Sequence, residues 1–321
     1  MHVLSETKSL LLEPRAPYNF DANFRKPSHF PSSDVHWEPG VCWATMVWKR
    51  RNLGLRFVDE GNIEAPRIGL TIISRAPLRL EFLEEVIREV RWRYNFDQDI
   101  SGFCSKNRYD RFLGGPMGRW RGMKPIAANS LYEALMIYVV LQNATVRRSV
   151  QMLENLFAKF GKRVTFNGQR LSAFWGPEDI AGASEEDLRA LKVGYRARSI
   201  KKISEQFARG GVDEFVLRSS SKQSVRTELD GIYGVGPASL EGLLFDDFYF
   251  LDALETVPPW EQKIMSRLLF DRRLVPPERI LEFFKSGYPG FEKLAFHYMW
   301  EDLFWRRERE RIEWLEREIR L

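Results

Sequence analysis

The chain has 321 residues, 44% of them hydrophobic and 13% aromatic, enough to bury a sizeable core as one large or two closely packed domains. An excess of 49 Lys and Arg over 44 Asp and Glu leaves a formal charge of +5, which suits a polyanionic partner without demanding one. Only Cys42 and Cys104 are present, far apart, which excludes a disulfide framework, a CxxC zinc site and a four-cysteine iron–sulfur loop, so no metal and no cofactor are expected.

In chain order, residues 1–33 hold several Pro, Ser and Asn with little periodicity and are expected to form an extended arm or an irregular edge. Residues 1–17 lack an apolar run long enough for a signal sequence, and no stretch reaches the length of a membrane span. The expectation is a soluble, monomeric, intracellular protein, cytoplasmic, nucleoid-associated or nuclear and not secreted. Residues 41–48, 53–58 and 68–74 are short β-branched and aromatic runs separated by turn residues, and predict a small antiparallel sheet. A helical pattern follows over 80–93, with Leu83, Val86 and Val90 on one face. Residues 112–125, rich in Gly, Arg, Trp and Pro, read as a surface loop leading to a domain boundary near Asn129.

Beyond that boundary the chain reads as helical almost throughout. Residues 131–140 are strongly apolar, and Val146, Val150, Leu153, Leu156 and Phe157 repeat at helical spacing before Gly161. Ser184 and Asp187 have the spacing of a capping box, and Ile200, Ile203 and Phe207 mark another helix that ends at Gly210 and Gly211. Residues 291–321 contain no Gly or Pro and mix Arg with Glu, which predicts one long C-terminal helix. The expected fold is α+β but mainly α. An arm (1–33), an N-terminal antiparallel sheet with a helix (34–128), a helical domain (129–290) and a C-terminal helix packed back on it (291–321) follow in order.

The feature richest in chemistry lies within 229–245, where an apolar helix meets Gly234-Val235-Gly236 and Pro237 then opens the next helix. Glycines spaced by one residue let backbone N–H groups approach a phosphate, and the following helix N-terminus adds partial positive charge. Such a grip does not depend on base sequence. A Gly-x-Gly corner alone is weak evidence, since any tight turn between helices can use one. Here carboxylates stand near a second Pro-initiated helix downstream, at Asp252 and Glu261.

Residues 131–270 resemble the HhH-GPD superfamily of DNA glycosylases, nearest in pattern to its 8-oxoguanine branch. Four passages carry the resemblance: Leu131-Tyr132-Glu133-Ala134 through Gln142-Asn143-Ala144-Thr145, Val193-Gly194-Tyr195-Arg196-Ala197-Arg198, the hairpin, and residues 257–267. The resemblance implies a helix-hairpin-helix domain that binds double-stranded DNA containing a damaged base, with no membrane involved. Gly234, Val235, Gly236 and Ala238 match its phosphate-binding hairpin. Asn143 and Tyr195 match positions that enter the space left by a flipped base, and Arg148 and Arg196 match arginines that read an orphaned cytosine. Arg198, Lys201 and Lys202 would add phosphate contacts. Trp300 resembles a lesion-pocket aromatic of the 3-methyladenine (AlkA-type) branch, and His297 beside it is a weaker match.

One departure bears on the chemistry. The family's bifunctional members place a Schiff-base Lys two residues after the second hairpin Gly, and this chain has Ala238 there. Hydrolysis by water is then expected, with lyase activity doubtful. A carboxylate is still needed to stabilise oxocarbenium character at the sugar. Aligned on the helix, Glu261 takes that register; counted from Gly236, Glu261 falls late and Asp252 early. The expected function is hydrolytic release of a damaged purine, 8-oxoguanine opposite cytosine leading, with an alkylpurine glycosylase or a non-catalytic lesion-binding protein as alternatives.

Overall fold

The computed structural model describes residues 2–319. Its largest sheet is antiparallel, in the order Glu6–Leu12, Ile68–Ser74, Arg51–Asp59, Val41–Trp48, Val35–Glu38. Alternation along these strands turns Cys42, Ala44 and Met46, then Leu53, Leu55 and Phe57, then Ile68, Leu70 and Ile72 to one side. The Leu80–Arg93 helix covers that side with Leu83, Val86 and Val90. A second sheet, His2–Val3, Lys162–Phe166 and Gln169–Ala173, packs against the first through Leu4, Ile73, Val164 and Phe166. Gly54 permits this contact, because a Cβ there would stand 2.6 Å from the Phe166 ring.

Of the two expectations for the N-terminal segment, residues 2–33 form a paired edge and not a free arm. The Glu6–Leu12 strand pairs along its 7 residues with Ile68–Ser74, and His2–Val3 runs parallel to Lys162–Phe166. Tyr18, Phe20 and Phe24 are buried in the sheet's own core. The prolines that break the sequence pattern mark bends between short paired pieces, and an edge strand with one apolar run shows no lasting period. Met1 lies outside the described residues.

The helical part gathers Leu131–Leu141, Val146–Phe160, Arg196–Ala208, Lys222–Asp230, Pro237–Asp246, Pro259–Phe270, Pro277–Gly287 and Glu292–Arg307 around the largest apolar core. Local chemistry starts these helices. Ser130 and Glu133 form a reciprocal capping box, Thr145 accepts from the Arg148 amide, and Pro237, Pro259 and Pro277 each sit at a first helical turn. Ile100, Phe103, Leu113, Met117 and Met123 join this same core, so the apolar interior does not divide at residue 129.

Two further expectations give way. Within the expected surface loop, Gly114–Trp120 is helical, with Trp120 stacked on Trp305 at 4.9 Å and Arg119 forked onto Asp302 at 2.7 and 2.9 Å. The C-terminal segment is not one helix: Glu292–Arg307 stops, the chain turns, and Glu313–Glu318 follows. Ile312 and Leu315 are buried, which a straight helix running into solvent would prevent, and Arg307 grips Glu316 across the turn at 2.6 and 2.9 Å. Residues 320 and 321 lie outside the described residues.

A buried ion network joins sheet module to helical module. Arg93, only 3% exposed, donates to Glu89 at 2.7 Å and to Glu133 at 3.2 Å. Arg218 donates to the other oxygen of Glu89 at 2.5 Å and to Glu214 at 2.7 Å. Glu133 and Glu214 also accept from the Ser130 and Leu131 amides, each at 2.7 Å, so the network caps the first helix of the helical domain. Removing one member leaves a buried charge short of its partner. Arg93→Met is therefore expected to lower unfolding free energy by about 3–5 kcal/mol, read by urea denaturation, while Arg15→Met at the exposed Arg15–Asp99 pair changes it little.

Candidate functional site

The Lys222–Asp230 helix ends at Gly231, Ile232 is buried, and Val235 N–H closes the turn onto the Ile232 carbonyl at 3.1 Å. Gly234 has φ +86°, and a Cβ there would stand 2.7 Å from Ser199 Oγ, so position 234 needs glycine on both counts. Gly236 is different. It caps the Pro237–Asp246 helix at φ −106°, and a Cβ on it would meet nothing within 4 Å. Its missing side chain leaves open space on the outer side of the corner, beside first-turn amides that have no intrahelical acceptor. Gln142 Nε2 donates to the Gly234 carbonyl at 2.6 Å and ties the corner to the end of the Leu131–Leu141 helix. Lys202 Nζ lies 4.0 Å and the Arg198 guanidinium 5.6 Å from the centre of the Tyr233 ring, so both cations flank the turn. Lys201 points elsewhere, donating to the Ala183 carbonyl at 2.7 Å.

Asn143 and Tyr195 stand together next to this corner. Asn143 has φ +48° and donates from Nδ2 to the Tyr195 hydroxyl at 3.3 Å, and Tyr195 is 55% exposed. Arg148 reaches across to the Lys192 carbonyl and to Gln151. Arg196 departs from the expected role. It is 6% exposed and donates to the Val139 carbonyl at 3.1 Å and to the Gln142 carbonyl. Its guanidinium thus closes the C-terminal end of the Leu131–Leu141 helix, where orphan carbonyls attract a cation. It is not an exposed group free to read a base. Sequence register could not show this, because a buried Arg that caps a helix and an exposed one look alike.

A cavity of about 170 Å³ opens beside the hairpin helix. Ala238 and Glu241 line it from the Pro237–Asp246 helix, Glu261 from the first turn of Pro259–Phe270, and Ser28 and His29 from the N-terminal segment. The Glu292–Arg307 helix supplies Lys293, His297, Trp300 and Glu301. Lys293, His297 and Glu301 follow i, i+4 and i+8, a polar stripe along a helix rich in aromatic residues, with Trp300 beside it. That spacing was the available signal for Lys293 and Glu301, which sequence reasoning missed. Close packing shapes the wall, since a Cβ on Gly242 would stand 2.1 Å from the Tyr138 hydroxyl.

Glu261 and Asp252 separate cleanly in space. Asp252 is partly exposed outside the cavity and pairs with Lys222 at 2.7 Å. Glu261 faces the cavity, and its Oε2 is buried without a hydrogen-bond partner. Burial holds its carboxyl above the ordinary glutamate range, opposed by the Lys293 ammonium and reinforced by Glu241. Trp300, 8% exposed, meets Trp260 edge-on at 5.0 Å and stacks on Phe296 at 5.8 Å. A carboxylate with an open oxygen in such a low-dielectric pocket can stabilise a developing cation and orient a water molecule. The hairpin offers no amine of its own, because Ala238 occupies the position facing the cavity.

Similarity to known proteins follows these features. The chain is 24% identical over 198 residues to the DNA-3-methyladenine glycosylase of Bacillus subtilis (strain 168), a match covering 58% of this chain and 65% of that relative. Among solved structures it resembles the 3-methyladenine DNA glycosylase from Archaeoglobus fulgidus with a TM-score of 0.71 at 17% identity, covering 92% of this chain and 99% of that one. It also resembles the apo-form 8-oxoguanine glycosylase/lyase of Clostridium acetobutylicum, with a TM-score of 0.64 at 17% identity and coverage of 93% and 98%. At such identities the structural likeness establishes the fold. The sequence model of the HhH-GPD superfamily base excision DNA repair proteins matches residues 136–318, a segment containing both the hairpin and the cavity-lining helices, and the chain belongs to that superfamily.

Proposed function

We propose that the protein is a DNA N-glycosylase that grips duplex DNA at Gly234-Val235-Gly236, extrudes a damaged purine into the cavity and hydrolyses its glycosidic bond. The observation that carries this reading is the unpartnered Glu261 oxygen in a cavity beside the hairpin. As the C1′–N9 bond breaks, its electron pair leaves with the base and C1′ becomes cationic. Glu261 stabilises that charge and takes a proton from the water whose oxygen then bonds to C1′, leaving an abasic site. Asn143 and Tyr195 fill the vacated stack, and Arg198 and Lys202 neutralise neighbouring phosphates. With Ala238 on the hairpin, no family-type Schiff base forms there.

8-Oxoguanine opposite cytosine is the leading substrate. The commitment of Arg196 to helix carbonyls leaves Arg148 as the matched arginine to face an orphaned cytosine, so opposite-base selectivity is expected to be modest. A second reading, release of alkylated purines, is favoured by the aromatic wall of Trp300, Trp260 and Phe296. Duplexes carrying 8-oxoguanine, an alkylated purine, uracil or hypoxanthine, treated with alkali after incubation, separate these readings. Binding without release across the panel would mark a non-catalytic lesion binder.

Glu261→Gln is expected to lower single-turnover release by about 10²–10³-fold with DNA affinity retained. Because burial raises the carboxyl pKa, acidification protonates it sooner than an ordinary glutamate. The acidic limb of the pH–rate profile should therefore lie above the usual glutamate value and vanish in E261Q. A profile with the same limb in the variant would assign the base elsewhere. Gly236→Ala, whose Cβ enters open space, should keep the melting temperature within a few degrees yet weaken binding to lesion and undamaged duplexes alike. Gly234→Ala should also destabilise the fold, since it meets Ser199 and a positive φ. Fluorescence anisotropy beside thermal melting distinguishes the two.

A further inference from the structure

The cavity floor holds polar atoms that the hydrolytic step does not use. His297 and Glu301 lie one turn apart on the Glu292–Arg307 helix, so they share a face, and both line the cavity. Glu301 is 1% and His297 8% exposed, yet Glu301 Oε2 and His297 Nε2 are buried without hydrogen-bond partners. A protein that leaves two such groups unsatisfied loses stability at each, and a ligand that pairs them recovers it. The other Glu301 oxygen is not open: it accepts from the Ser28 hydroxyl, which fixes the carboxyl plane and leaves Oε2 facing the cavity. Trp300 lies between them in sequence and supplies an apolar surface for a ring.

We propose that Glu301, oriented by Ser28, and His297 read the Watson–Crick edge of the extruded base and select guanine-derived lesions over adenine-derived ones. The inference rests on the glycosylase reading and names its substrate class. A guanine edge presents two neighbouring N–H donors, N1–H and the N2 amino group, next to the O6 acceptor. A buried carboxylate gains most from two donors at once, because charge-assisted bonds are about twice as strong as neutral ones. His297 supplies the complement. Burial pushes its imidazole pKa well below the ordinary value, helped by Lys26, His29 and Lys293, so the ring is neutral and Nε2–H can donate to O6. An adenine edge offers the carboxylate only its N6 amino group and gives His297 a ring nitrogen, so the buried charge is paired once instead of twice. Burial also raises Glu301 to about 7, opposed by the nearby Lys26 ammonium, and two donors arriving together favour its anionic form.

The test uses wild-type protein and paired substrates differing by one group. 8-Oxoguanine is compared with 8-oxohypoxanthine, and 7-methylguanine with 7-methylhypoxanthine, each comparator lacking only the N2 amino group, alongside 1,N6-ethenoadenine and 3-methyladenine. For whichever guanine lesion is turned over, release is expected to be about tenfold or more faster than from its comparator. In Glu301→Gln that ratio should narrow several-fold, since an amide oxygen accepts without charge. Equal release with and without the N2 group, or faster release of the adenine lesions, would overturn the edge assignment and leave the glycosylase reading standing. Release of no base from any duplex overturns both. The substrate comparison needs no variant, so a poorly folding E301Q cannot rescue the proposal.

Discussion

The buried pairing of Arg93 with Glu89 and Glu133 is the contact on which the relative placement of the two modules depends. It links the last turn of a helix lying on the N-terminal sheet to the first turn of the helical domain, and Arg218 extends it to Glu214. Charges so deeply buried tolerate little displacement, because each fraction of an ångström lost from a pair leaves desolvation uncompensated. An apolar interface of similar area could slide; this one has a fixed register. The cavity requires that register, since its walls come from both sides of the joint.

The N-terminal segment is held by a related device. Lys124 is fully buried, with burial lowering its pKa to about 8, and its ammonium donates to the carbonyls of Gln98 at 2.6 Å, Arg15 at 3.1 Å and Asn95 at 3.3 Å. Lys26 donates to the Ala22 carbonyl at 2.7 Å and the Lys124 carbonyl at 3.2 Å. Irregular chain that cannot satisfy its carbonyls in a ladder is thus satisfied by buried cations. Ser28 and His29 follow after Pro27 and become cavity wall. Structural economy and site construction coincide here: the lysine that satisfies these carbonyls also places its charge near Glu301.

What the sequence made legible was whatever obeys local rules. The paired strands at 41–48 and 68–74, the helices at 80–93 and 146–160, the Ser184 capping box and the glycine corner each announce themselves through period or turn chemistry. The strand at Glu6–Leu12 did not, because its pairing partner lies some sixty residues away and an edge strand need not alternate. Arg196 was misread for a related reason: its partners are carbonyls of another helix, and sequence carries no mark of who accepts from an arginine. Lys293 and Glu301, on either side of the weakly matched His297, were the costliest omission. On a helix rich in Phe, Trp and Tyr, scattered polar residues look like its solvent side, whereas here the whole stretch from Leu294 to Trp305 is buried and the polar stripe faces a cavity.

That inversion also bears on the proposed hydrolysis. The family-type amine is absent from position 238, but the cavity does not lack a cation: Lys293 lies among Glu261, Asp246 and Glu241. Its charge draws down the raised pKa of both Glu261 and Asp246, the latter held at about 6 by burial. A lysine used in this way keeps a neighbouring carboxylate anionic, which is the form that stabilises an oxocarbenium ion and accepts a proton from water. Moving the cation from the hairpin to the cavity wall changes its chemical part. On the hairpin an amine would compete with water for C1′; on the wall, among carboxylates, it is placed to support Glu261 in the proposed hydrolysis.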